Sequence, residues 1–178
     1  MDIVENFFSS SPVSKWMEVL AFTKGTQLSR QAESITAKQF HHTAPAVLRY
    51  FRGRLAFLKC RSCKISDLIE FINRWKSGKT DQKLDFIQIK ISNFEIPEDD
   101  VLNSTGAKYI GPTKKPPTHI LPKLYTDYDG TRNTKPITSH AYVVRASDNH
   151  VASVLIQKNT FLFGVWDKTE EEFLKMVE

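Results

Sequence analysis

The sequence predicts an α/β fold: a short leucine-rich-repeat-like strand–helix arc, followed by an antiparallel β cap and a C-terminal helix. Three observations predict it. Leu55 to Ile65 reads L-x-x-L-x-C-x-x-C-x-I, which fits the leucine-rich-repeat template. The frame recurs downstream at Leu84 to Phe94, with Leu55 falling on Leu84, Leu58 on Ile87 and Cys60 on Ile89. Between and around these two stretches, short apolar runs alternate with helical patterns, as in parallel strands joined by crossovers. After a proline-rich interval the pattern changes to consecutive strand runs separated by turn residues, which is an antiparallel signal.

The 178 residues suggest one domain, or one domain plus an extension. We divide them into an N-terminal extension over 1–26 and a domain over 27–178. The domain comprises repeat-like units over 27–110, a long loop over 111–139, and a β cap with helix over 140–178. Hydrophobic residues make up 40% and charged residues 25%, enough apolar side chains for a packed core and against global disorder. The net charge of +5 is spread along the chain, so a solvated surface is favoured over a nucleic-acid footprint.

In chain order, Ser11 and Pro12 open an amphipathic helix to Phe22, with Val13, Trp16, Met17 and Leu20 at helical spacing and Gly25 as the stop. Ser34 to Phe40 is a weak strand, Pro45 to Phe51 a helix, and Leu55 to Cys60 a strand. Ser66 caps a helix over Asp67 to Lys76 whose apolar face is Leu68, Ile69, Phe71, Ile72 and Trp75, and Gly78 ends it. Leu84 to Ile91 alternates as a strand. In the repeat frame, Phe94 takes the inward position of Ile65, and Ser92 takes the turn position of Cys63. Pro97 opens a short acidic-fronted helix that Gly106 stops, and Ala107 to Ile110 is a short strand.

Five prolines from Pro112 to Pro136 exclude regular structure from the loop, which carries Lys114, Lys115, Tyr125, Tyr128 and Arg132 among its basic and aromatic residues. Ala141 to Ala146 and Val151 to Gln157 form a hairpin, Thr160 to Trp166 a third strand, and Lys168 to Val177 a final helix with Phe173, Met176 and Val177 on its apolar stripe.

No catalytic motif is present: there is no G-x-S-x-G, H-E-x-x-H or phosphate-cradling glycine cluster. His41-His42 reads as an exposed polar pair. The two cysteines, Cys60 and Cys63, lie inside the repeat frame and lack the second ligand pair that zinc requires, so they read as packing residues. No cofactor, no metal and no catalytic residue is expected. Every apolar run is too short to cross a bilayer, so no membrane span is expected. The absence of a signal sequence and of a disulfide framework points to cytoplasm or nucleus.

The helix DLIEFINRWKSG followed by KLDFIQIKI, and the run YVVRASDNHVASVLIQKNTFLFGVWDKTEEEFL, resemble the F-box-associated type 2 domain family. Arg145, Asp148, Ala152-Ser153-Val154 and Phe161-x-Phe163-x-Val165-Trp166 match its C-terminal pattern, whereas Asn149 stands where that family has Gly. The resemblance covers roughly residues 50 to 178. It implies a module that selects target proteins for a cullin-RING ubiquitin ligase. Residues 1 to 50 carry no Leu-Pro opening of an F-box, so a Skp-type adaptor is expected as partner only through an F-box elsewhere. The expected partner is an unidentified protein. The binding face is placed on the outward positions of the repeat strands, Lys59, Arg61, Gln88, Lys90 and Ser92, together with Lys114, Lys115, Tyr125, Tyr128 and Arg132 of the loop.

Overall fold

The computed structural model describes residues 16–19, 33–39, 43–61, 63–79, 83–121 and 135–178. They form an α/β structure around one mixed sheet of eight strands, in the order β1-β2-β3-β4-β10-β9-β8-β5. The parallel half is β1 (Trp16–Val19), β2 (Ser34–Gln39), β3 (Leu55–Cys60) and β4 (Phe86–Ile91). The antiparallel half is β10 (Thr160–Thr169), β9 (His150–Gln157), β8 (Ala141–Val144) and the short edge strand β5 (Lys108–Tyr109). A separate ribbon pairs β6 (Thr118–His119) with β7 (Ile137–Thr138).

Three helices cover one face: α1 (Thr43–Tyr50), α2 (Ile65–Lys76) and α3 (Glu98–Ser104). Their apolar residues share a core with Ala56, Leu58 and Cys60 of β3, Ile87, Ile89 and Ile91 of β4, and Phe161 and Phe163 of β10. The period of α2 explains its place: Leu68, Phe71, Ile72 and Trp75 are all buried. Burial of each contributes about 1.5–3 kcal/mol relative to exposure. Phe71 and Trp75 meet Phe163 edge-on at 5.2 and 5.1 Å. Asp67 accepts from the Lys64 N–H at the helix start, and Gly78 at φ 69 follows its end. Gly106, at φ 58, does the same for α3.

On the opposite face, Leu55, Phe57, Phe86 and Leu162 pack under Ile137 of β7. Next to them, Tyr142 and Val151 pack under Phe173 of α4 (Glu170–Leu174). Thr169 and Glu172 cap α4 reciprocally, the Glu172 carboxylate accepting from the Thr169 N–H.

Several elements depart from the sequence expectation. Trp16–Val19, expected in the amphipathic helix over Pro12 to Phe22, is a strand paired parallel to Ser34–Ala37. Pairing with the β2 backbone overrides the helical spacing, and the N-terminal extension contributes a strand to the sheet; the rest of that expected helix falls outside the described residues. Ser66 lies inside α2, whose N-cap is Lys64. The repeat register also differs from the sequence match: Leu55 pairs with Phe86 and not Leu84, Leu58 with Ile89 and Cys60 with Ile91. The slip is by an even number of positions, so each side chain keeps its face. It carries Phe94 past the strand end, where it is 43% exposed rather than inward. Lys108–Tyr109 pairs antiparallel with β8 at the far edge, not parallel beside β4. The loop over 111–139 is not free of regular structure, because the β6–β7 ribbon forms inside it. The final strand runs on to Thr169, which shortens the last helix to Glu170–Leu174 and leaves Met176 exposed.

Candidate functional site

Parallel register decides which of the candidate residues meet. Lys59 stands beside Lys90 on β3 and β4, and Lys90 beside Thr160 on β10. One step beyond the strand ends, the Ser92 N–H donates to the Cys60 carbonyl at 3.0 Å, which sets Ser92 beside Arg61. The β9–β10 hairpin turn closes the corner. Its Asn159 carbonyl accepts from the Ile91 N–H and its Lys158 carbonyl from the Ile96 N–H, both at 2.8 Å. Residues 92–95 therefore bow outward between two backbone anchors on the same turn. The space between bow and turn is an open cleft of about 350 Å³ lined by Ser92, Asn93, Phe94, Glu95, Lys158 and Asn159.

Arg61, Lys90, Ser92, Asn93, Phe94 and Lys158 are all exposed, and Lys59 is half-buried. This is the carboxyl end of the parallel strands, where open α/β sheets present their binding crevices. Gln88 sits further back on β4, half-buried, with its Oε1 buried and unpartnered. Lys114 and Lys115 lie apart from the corner. Lys115 exchanges backbone hydrogen bonds with Glu178 and pairs its Nζ with the Glu178 carboxylate at 3.1 Å, so it ties the loop to the C-terminus. Tyr125, Tyr128 and Arg132 fall outside the described residues.

Phe94, Lys158 and Asn159 join the site without a sequence signal. The apparent repeat alignment turns Phe94 inward, and a hairpin turn has no signal of its own for which strand end it will adjoin. Lys158 adopts φ 51, which the tight turn requires.

A second polar cluster is buried under the ribbon. His119 hydrogen-bonds the Val165 carbonyl through Nε2 at 2.9 Å, stacks on Phe86 and meets Trp166 edge-on at 5.1 Å. Burial pushes its pKa down, opposed by the Val165 bond and the Asp85 charge. Trp166 Nε1 donates to Ser153 Oγ at 2.9 Å. Ser153 Oγ accepts this bond, and His119 Nδ1 is buried with no hydrogen-bond partner among the described residues. Across the sheet, the buried Arg145 guanidinium donates to both Asp148 carboxylate oxygens and lies 5.1 Å from the Trp75 ring. That pairing holds the Asp148 carboxyl below its ordinary range and fixes the β8–β9 turn, with Asn149 at φ 59.

Both thiols are buried and unbridged; burial pushes Cys60 up to about 11 and Cys63 up to about 12. Among the described residues no group of three or more His, Cys, Asp or Glu side chains is placed to hold a metal ion, and no helix is long and apolar enough to cross a membrane. No family model, no curated protein and no solved structure matches the chain.

Proposed function

We propose that the chain is a non-catalytic protein–protein interaction module that holds its partner at the carboxyl-end corner of the sheet. The observation that carries this reading is the register. It converts residues far apart in sequence into one exposed patch of Arg61, Lys90, Ser92, Phe94 and Lys158 beside an open cleft. An exposed aromatic next to a cleft, ringed by polar groups, is the composition of a binding hot spot.

The resemblance to the F-box-associated type 2 pattern gives the biological form of the proposal: selection of a target for cullin-RING ubiquitination, with the Skp-type adaptor recruited through an F-box borne elsewhere. The repeat-like arc belongs to the same proposal. Its support is that β1 to β4 follow one another in sequence and in the sheet, with α1 to α3 all on one face. Arg145 and Asp148 support the resemblance as a turn-fixing pair.

The test is quantitative affinity capture with the full chain, with an Arg61→Glu/Lys90→Glu variant, and with a Lys114→Glu/Lys115→Glu variant that leaves the β6–β7 ribbon in place. Proteins lost with the corner variant and kept with the loop variant support the reading. A capture profile unchanged by the corner variant refutes it. Co-capture of the adaptor decides the ligase part separately.

A further inference from the structure

We infer that the corner takes a short acidic segment of a partner protein, its carboxylates against Arg61, Lys90 and Lys158 and an apolar side chain in the cleft beside Phe94. The inference rests on the interaction-module reading and names the partner's chemistry.

Charge complementarity points to an acidic partner. Elsewhere on the surface, Arg49 pairs with Glu70, Arg54 with Asp85, Lys108 with Glu170 and Lys175 with Glu171. Arg61, Lys90 and Lys158 have no acidic partner among the described residues, although backbone pairing holds them within one corner. These three cations around one strand end are free to pair with a partner's carboxylates, with Glu95 as an acid in the cleft lining.

The cleft points to a peptide. Its volume of about 350 Å³ and its open form leave room for a partner's side chain. Phe94 supplies an apolar wall, and the exposed Ser92 and Asn93 supply hydrogen-bonding groups along its rim. The surroundings disfavour a polyanion. Glu95 lines the cleft, and Glu98, Asp99 and Asp100 open α3 shortly after it. These carboxylates repel a polyanion such as nucleic acid more than a short segment carrying few acids, because the repulsion adds with every charge brought near.

The experiment measures fluorescence anisotropy of a labelled peptide, Glu-Glu-Leu-Glu-Glu-Leu, titrated with the full chain. Controls are Gln-Gln-Leu-Gln-Gln-Leu, Glu-Glu-Ser-Glu-Glu-Ser and a short oligothymidylate. The inference predicts binding of the acidic, leucine-bearing peptide at least tenfold tighter than of each control. Lys90→Glu/Lys158→Glu should weaken it at least tenfold, Phe94→Ala should erase the preference for leucine over serine, and Lys114→Glu should leave it unchanged, all four chains melting alike. Equal binding of the glutamine peptide overturns the inference, as does binding that survives the double reversal. An oligothymidylate that binds as tightly and is lost with the same variants overturns it in favour of nucleic acid. If the peptide fails while the Arg61→Glu/Lys90→Glu variant still abolishes affinity capture, the acidic-segment inference falls and the interaction-module reading stands.

Discussion

His119 lies directly on Gly164: a Cβ added to that glycine would stand 2.8 Å from His119 Nδ1 and 2.9 Å from Ile137 Cδ1. The glycine in the middle of β10 is there for closeness of approach, since its φ is not left-handed. It lets the β6–β7 ribbon bring the imidazole onto the sheet, stacked on Phe86 and edge-on to Trp166.

Gly164→Ala is therefore expected to cost about 1–3 kcal/mol, the usual penalty of overpacking. A double-mutant cycle with His119→Ala should be non-additive, the alanine at 119 relieving part of the clash. Urea denaturation of the four chains measures the coupling; strict additivity would mean that the two residues do not touch.

The same histidine sets a pH dependence. Its folded-state pKa is lowered from the ordinary 6.5, so below that pH the unfolded chain takes up a proton that the folded chain refuses. Stability should fall as pH drops through about 6.5 towards the lowered value, and level off below it. Asp148 acts in a separate, more acidic window, because its carboxyl is held below its ordinary range. Thermal melts from mildly alkaline to mildly acidic pH should show the first loss in the native chain and a reduced loss in His119→Gln.

Arg145 is almost fully buried, and its charge is answered by Asp148, whose side chain is about a third exposed. Asp148→Asn should destabilise by about 1–3 kcal/mol, below the loss expected for a fully buried pair, because water reaches the carboxylate. Denaturant midpoints check the size. No measurable change would make the pair a surface contact.

Cys60 and Cys63 should behave as packing residues. With thiols pushed up to about 11 and about 12, native protein at mildly alkaline pH should react with an aromatic disulfide reagent far more slowly than denatured protein. Equal rates would place at least one thiol in an open site.

The strand–helix alternation over β3, α2 and β4 is legible in the sequence, because periodicity alone separates a helix burying Leu68, Phe71, Ile72 and Trp75 from strands with alternating faces. Register is not. Pairing Leu55 with Leu84 or with Phe86 places the same side chains on the same faces, so nothing in the apolar pattern separates the two. Yet the difference moves Phe94 from core to surface. The outward placement of Lys59, Arg61, Lys90 and Ser92 survives the slip for that reason. Trp16–Val19 misleads because its helical spacing competes with a free strand edge, which only the assembled sheet presents. His119 is invisible in a proline-rich loop, since its burial depends on Gly164, Phe86 and Trp166 from distant segments.

Binding of partners at the carboxyl-end corner is tested most directly by photo-crosslinking in cell extract, with a benzophenone amino acid placed at position 94 and, separately, at position 114 of the full chain. Discrete partner adducts are predicted from position 94, disappearing with Arg61→Glu/Lys90→Glu, and none from position 114. Adducts from position 114 alone, or adducts from position 94 that persist in the double variant, would contradict corner binding.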